Sequence, residues 1–324
     1  MNKQLTTWQL ILKSLQQPIP VMLLYVLESS GSSPGRQGFF MVVNGAGEME
    51  GSIGGGIMEH KFTEMAKEQL KETDAVLSLR KQVHDKSAAR NQSGMICSGE
   101  QTILLYRLRQ EDISPVQRII TALERFQNGT LQLSPQGLSF FEDQVPATDF
   151  LFTKQSGQDW RYQEKTGYKN QLFIIGGGHC SLALSQLMSS MDFYIRVYDT
   201  RAQLPTFLQN EYAHEKITLA VYQDLADKVP SGPHHHYVVV MTLGYRTDDT
   251  AVRALLHKDF RYLGLLGSKT KNAQLLSTYA TEGIDTAWLS RIHSPIGLPI
   301  HSQTPAEIAV SIAAEIIQVK NSRS

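Results

Sequence analysis

The chain has 324 residues, enough for two domains that each bury a core. Its 31 Lys and Arg balance 31 Asp and Glu, so no global field gathers nucleic acid or an anionic membrane surface. No apolar run is long enough to cross a bilayer, and the two cysteines, Cys97 and Cys180, cannot form a disulfide framework or by themselves a structural zinc site, which points to a reducing, cytoplasmic setting.

Leu5, Trp8, Leu12 and Leu15 give the opening residues a helical pattern, without the apolar core and cleavage site of a secretory signal. Residues 21–27 read as a strand that ends in a small-residue loop, Gly31-Ser32-Ser33-Pro34-Gly35-Arg36, carrying one guanidinium. Residues 39–43 read as a second strand, turned at Asn44-Gly45. Another glycine loop, Gly51-Ser52-Ile53-Gly54-Gly55-Gly56, leads into a helix over 57–71 with Glu59 in its first turn. The amides of both loops, joined by Arg36, offer an anion-binding mouth, and two tight turns without a ligand are the competing reading. Glu59 has a plain use, offsetting the positive end of that helix.

Strands over 75–79 and 101–108 flank a polar segment that closes on Gly94-Met95-Ile96-Cys97-Ser98-Gly99-Glu100. Cys97 is either an inert core thiol or an exposed thiolate able to act as a soft ligand for a metal. Ser114-Pro115 starts a helix running to residue 126. Beyond it, short strand-like pieces pass into a linker. The expected organisation is a domain over 1–150, a linker over 151–169 and a second domain over 170–324.

Residues 172–175, too few for a helix, run straight into Gly176-Gly177-Gly178-His179 and read as a buried parallel strand followed by a tight turn. A helix from Ser181 turns its free amides and positive dipole end to that loop, which favours phosphate. Ser181 itself stands at the third glycine position of the dinucleotide fingerprint. The next strand ends at Asp199, roughly 20 residues past the first glycine, where a carboxylate meets a ribose 2′-hydroxyl in dinucleotide folds. His179 would bond a phosphate or cap the turn. Cys180 lies where a helix dipole lowers a thiol pKa, although helix packing is its plainer role.

Strands over 172–175, 193–198, 217–221, 237–241 and 262–266 alternate with helices near 181–191, 248–256, 270–279 and 304–320. That order predicts an α/β chain, an N-terminal mixed α/β domain followed by a Rossmann-like doubly wound parallel-sheet domain. His234, His235 and His236 alternate faces if extended, so they cannot converge on one metal, and a loop edge suits them. Lys269, after Gly264-Leu265-Leu266-Gly267-Ser268, faces either a phosphate or solvent. No Ser-His-Asp set in context, Tyr-x-x-x-Lys pair or HExxH supplies catalytic machinery.

These separated blocks together resemble the XdhC/CoxI family of accessory proteins for molybdenum hydroxylases. The resemblance rests on Gly31 to Pro34 with Arg36-Gln37-Gly38, Gly51 to Gly56 with Glu59, and Cys97-Ser98-Gly99-Glu100. In the second half it rests on Gly176 to His179, Asp199-Thr200-Arg201, Gly264 to Lys269, and Pro295 to Leu298 with Thr304 to Ser311. It implies a homodimeric chaperone that binds molybdenum cofactor, as molybdopterin or a dinucleotide form, protects it and hands it to an apo molybdenum hydroxylase such as xanthine dehydrogenase. A cysteine desulfurase would supply the sulfido ligand. On this resemblance the cofactor-binding positions are Ser33, Arg36, Gly54, Gly55, Gly56, Cys97, Gly176, Gly178, His179, Asp199, Arg201 and Lys269, and none is catalytic. Ile57-Met58 stand where relatives often carry Cys-Leu, Ser98 replaces a glycine, and Leu243 replaces a histidine. The alternatives are an NAD(P)-dependent oxidoreductase using the second domain, and a scaffold that only docks the hydroxylase.

Overall fold

The structure, a computed structural model, describes residues 3–72, 77–83, 99–144, 146 and 148–322. The chain divides into two units, Met1–Gly167 and Tyr168–Ser324. In the first, helix α1 (Lys3–Gln16) precedes β1 (Val21–Gly31), whose first seven side chains are all buried. They alternate between two cores. Val21, Leu23, Tyr25 and Leu27 join Trp8 and Ile11 of α1, while Met22, Leu24 and Val26 pack with Met58, Phe62 and Ala66 of helix α2 (Gly56–Gln69). A strand covered on both faces has no reason to alternate in sequence, so its apolar run is continuous although all its partners are antiparallel.

The remaining strands of that sheet are β2 (Phe40–Asn44), β3 (Met49–Gly51), β4 (Leu77–Val83) and β5 (Gly99–Arg107), in the order β3-β2-β1-β5-β4. The pairing of β1 with β5 shifts register between Val26 and Glu28 and continues to Gly31 opposite Gly99. This irregularity bends the end of β1 just before the first glycine loop. Helix α3 (Ile113–Glu124) and a second antiparallel sheet complete the unit. That sheet contains β6 (Gly129–Ser134), β7 (Gly137–Phe141), β8 (Phe150–Lys154) and β9 (Trp160–Thr166), in the order β7-β6-β9-β8.

The expected linker over 151–169 is therefore corrected. It carries most of β8 and all of β9, and β9 pairs with β6 and buries Trp160 and Tyr162 in the unit's core.

The second unit is built on a parallel sheet of β10 (Asn170–Ile175), β11 (Phe193–Asp199), β12 (Glu215–Thr218), β13 (Gly232–Val240), β14 (Phe260–Leu265) and β15 (Ile292–His293). Its order is β12-β11-β10-β13-β14-β15, with the chain reversing direction across the sheet between β10 and β13. Leu172 and Ile174 face one core; Phe173 and Ile175 face the other. Helices α4 (His179–Met188) and α10 (Pro305–Asn321) cover the first face. Helices α7 (Tyr245–Ala254) and α8 (Lys269–Thr281) cover the second, and the four-residue helices α5 (Pro205–Leu208), α6 (Leu225–Lys228) and α9 (Thr286–Leu289) fill the connections. The three histidines lie inside β13 and not at a loop edge. The His236 ring packs 5.0 Å from Phe173, and its Nδ1 is 3.0 Å from the Pro230 carbonyl. Among the described residues no three His, Cys, Asp or Glu side chains are placed to hold a metal, and no helix is long and apolar enough to cross a membrane.

Candidate functional site

In the first unit three stretches far apart in sequence meet backbone to backbone. A Cβ on Gly35 would lie 2.0 Å from the Ile53 carbonyl, one on Gly54 would lie 2.4 Å from the Gly35 nitrogen, and one on Gly99 would lie 2.6 Å from the Ser33 nitrogen. Only glycine permits these approaches, and Gly54 also has a positive φ of 127°. Gln101 Nε2 donates to the Gly35 carbonyl at 2.8 Å and ties β5 to the first loop. Ser33 is buried, with its hydroxyl donating to the Gly35 carbonyl at 3.2 Å. Arg36 is exposed and donates to the Gly31 carbonyl at 3.0 Å, which leaves its charge facing solvent. Cys97 and Ser98 lie outside the described residues.

Glu59 changes what the second loop offers. Its Oε2 accepts from Ser52 Oγ at 2.6 Å, Ile53 N at 2.9 Å and Gly55 N at 3.0 Å. These loop amides, expected to face an external anion, already serve an internal carboxylate. What remains is the first turn of α2, where the amides of Gly56, Ile57 and Met58 have no intrahelical acceptor. Nothing lies within 4 Å of the position a Cβ would take on Gly55, so the backbone there is bare.

In the second unit the glycine turn sits at the carboxyl end of β10, at the switch point of the sheet. Gly176 has φ 114°, and a Cβ there would lie 2.3 Å from the Met241 carbonyl. Gly178 caps α4 with open space beside it, and His179 is exposed. Burial pushes the Cys180 thiol up in pKa, opposite to the lowering expected from the helix dipole, and the side chain packs against the core.

Asp199 does not have the role expected of it. It is fully buried; its Oδ2 accepts from Gly177 N at 2.7 Å and Arg201 at 2.8 Å, and its Oδ1 accepts from Arg201 N at 2.8 Å and Nε at 2.9 Å. Burial alone would raise its pKa, but these donors outweigh it and hold the carboxyl below the usual range. Four donors saturate the carboxylate, so no lone pair is left for a ribose hydroxyl in this arrangement. Arg201 is the counter-ion of Asp199, whose carboxylate ties the glycine turn down through Gly177 N.

Lys269 is exposed at the first position of α8. Lys271, two residues on, is the lysine that is built in. Its Nζ lies 2.5 Å from Oδ2 of the buried Asp248, whose Oδ1 accepts from Thr242 N at 3.0 Å and Thr242 Oγ1 at 2.6 Å. Sequence reasoning missed this cluster, although Asp248 stands at the same place in α7 that Glu59 occupies in α2, four residues after a capping glycine. Leu243 and Tyr245, beside it, are exposed apolar side chains at the carboxyl end of β13.

Strand order, parallel pairing and the glycine turn at the switch point define the second unit as a Rossmann domain, preceded in the chain by an antiparallel α/β unit. The family described as "XdhC Rossmann domain" matches residues 172–316, and that described as "XdhC and CoxI family" matches residues 14–80. The chain belongs to the XdhC and CoxI family. A Bacillus halodurans crystal structure described as a xanthine dehydrogenase has a TM-score of 0.71 and 25% identity, covering 98% of this chain and 97% of that one. A Bacillus subtilis protein described as a probable subunit of xanthine dehydrogenase is 33% identical over 152 residues, 47% of this chain and 43% of the relative. Escherichia coli YqeB is 24% identical over 306 residues, 94% of this chain and 44% of YqeB. The chain thus spans less than half the length of these two curated relatives.

Proposed function

We propose that this protein serves a xanthine dehydrogenase-type molybdenum hydroxylase by holding its molybdenum cofactor, protecting it and passing it to the apo-enzyme. The observation that carries this reading is the convergence of residues 30–36, 51–56 and 99–101 on one bare stretch of backbone at the start of α2. The cofactor's phosphate fits a helix start with free amides and a nearby solvent-facing guanidinium, whether it is the monoester of molybdopterin or the pyrophosphate of a dinucleotide form. Arg36 and the amides of Gly56 and Ile57 would hold that phosphate, Gly54 and Gly55 would let it approach, and Cys97 would be the soft ligand on the metal side. When bound, the group supplies a molybdenum centre awaiting its sulfido ligand from a cysteine desulfurase. A homodimer is the expected working form. The names of the Bacillus relatives support a xanthine dehydrogenase partner. The second-unit residues Gly176, Gly178, His179 and Lys269 remain candidates for a nucleotide part, while the saturated Asp199 carboxylate speaks against an NAD(P)-dependent oxidoreductase.

Protein purified from cofactor-competent cells should carry a pterin that becomes fluorescent on oxidation. Cys97→Ala should fold normally by circular dichroism and lose the pterin during gel filtration. Wild-type protein that never takes up pterin, even when the cofactor is supplied, sinks the proposal.

A further inference from the structure

β14 begins at Phe260, but β15 pairs only with its later residues, Leu263 and Gly264. The uncovered start of β14 borders a cavity of about 310 Å³, near the lower end of the range for small-molecule sites. It lies toward the amino-terminal end of β14, whereas the glycine turn and Lys269 sit at carboxyl ends of strands.

Lys258, Arg261, Arg291, Tyr262, Trp288 and His293 line it. Lys258 Nζ donates to the carbonyls of Ala226 and Val229, and Arg261 donates to those of Val319 and Ser322. Carbonyls orient these cations without neutralising them. Among the described residues neither has a carboxylate partner. Arg291 does, with Asp259 at 2.6 Å, but both members of that pair are about half exposed to water. Among the described residues, two cations without a carboxylate partner and a third weakly compensated one therefore border one small cavity. Like charges held together this way repel, and a dianion relieves the repulsion.

The polar ring on the same wall is also set. His293 Nδ1 lies 3.1 Å from Glu315 Oε1, and Glu315 Oε2 accepts from Tyr262 Oη at 2.5 Å and Gly297 N at 2.8 Å. The carboxylate fixes the imidazole by Nδ1, which leaves Nε2 as the nitrogen for a ligand. Trp288 donates Nε1 to the Lys258 carbonyl at 3.1 Å, so its indole plane is fixed rather than free to swing. An aromatic wall beside clustered cations selects an anion that also carries a flat ring.

We propose that this cavity binds a small phosphate monoester bearing a flat ring, with the phosphate among Lys258, Arg261 and Arg291 and the ring against Trp288. A mononucleotide is the simplest such molecule. The proposal stands independently of the cofactor reading, because no residue is shared between the two.

Trp288 makes the test direct. The other two tryptophans, Trp8 and Trp160, are 1% and 3% exposed and belong to the first unit. Adenosine 5′-monophosphate titrated into the full chain should change tryptophan emission saturably. The change should vanish in Trp288→Phe and be competed by inorganic phosphate. Adenosine should bind at least about tenfold more weakly, as should the monophosphate to Lys258→Gln and Arg261→Gln, since each removes a charge-assisted contact to the phosphate. Those two substitutions also remove bonds to carbonyls, so circular dichroism must show them folded. Asp259→Asn touches no such bond and removes the counter-ion of Arg291, and it should tighten the monophosphate up to about fivefold. The proposal is overturned by a Trp288 signal that does not respond at millimolar monophosphate, by adenosine binding equally well, or by an affinity that ignores all three charge changes.

Discussion

Glu59 and Asp199 stand beside glycine loops in different units, and both turn their carboxylates inward onto the amides of those loops. An acid at such a position is visible in the sequence; the direction it faces is not, because that depends on whether a donor such as Arg201 folds back on it. This is why the position of Asp199 was legible and its role was not. Ser181 shows the same limit. Its place at the third glycine position is evident, and the structure adds that its hydroxyl is fully buried with no hydrogen-bond partner among the described residues. An unsatisfied buried hydroxyl costs about 1–3 kcal/mol, and removing one oxygen leaves little space behind. Ser181→Ala should therefore raise stability by about 1 kcal/mol, read as a higher urea midpoint with an unchanged slope. A lower midpoint would mean that the hydroxyl has an acceptor after all.

At the scale of elements, β10, β11, β13, β14 and the long helices of the second unit are readable because each carries an apolar run or a periodic stretch ended by a glycine or a cap. β12 starts two residues before the expected strand over 217–221 with a charged, half-exposed sequence, and the two-residue β15 leaves no pattern to read. β9 is not readable either. Its inward positions are Trp160, Tyr162, Glu164 and Thr166, so the two polar members break the alternation that marks a half-buried strand. Burial of Glu164 is satisfied by partners remote in sequence or on the same face. Tyr25 Oη of β1 donates to its Oε2 at 2.5 Å, and Tyr162 Oη donates at 2.7 Å. Burial, followed by the nearby carboxylate, raises the pKa of both phenols, which keeps them as donors. The contact joins β1 of one antiparallel sheet to β9 of the other, so it fixes how the two layers of the first unit stack. Tyr25→Phe keeps the ring stacked on Phe40 and removes only the donor, and should cost about 1–3 kcal/mol in equilibrium unfolding. A neutral result would show that the ring packing alone holds the layers.

Across the whole molecule, His214 and the buried Asp199 of the second unit shift in the opposite sense, for acid stability, to the buried Asp112 of the first, and acid should separate the units. In the second unit burial, reinforced by the Arg196 charge and opposed by Glu215, lowers the His214 pKa to about 4. Its Nδ1 accepts from Ile195 N at 2.9 Å, so Nε2 carries the proton toward Tyr168 Oη at 2.7 Å and the folded ring is neutral. Between pH 6.5 and 4 the unfolded chain binds a proton there that the folded one refuses. Stability is therefore complete above pH 6.5 and falls as pH drops toward 4. Asp199, Glu215 and Glu315, all held below their usual range, add to the loss at lower pH. In the first unit burial raises the pKa of Asp112, despite hydrogen bonds from Arg109 N and Tyr106 that lower it. The folded form then takes a proton before the unfolded form does, and acid favours it. Lowering the pH from 7 to 5 should shift the transition of the second unit, followed by Trp288, to lower temperature than at neutral pH, and move that of the first unit, followed by Trp8 and Trp160, less. His214→Phe should flatten the pH dependence of the Trp288 transition above pH 5. If that slope survives the substitution, His214 is not its source.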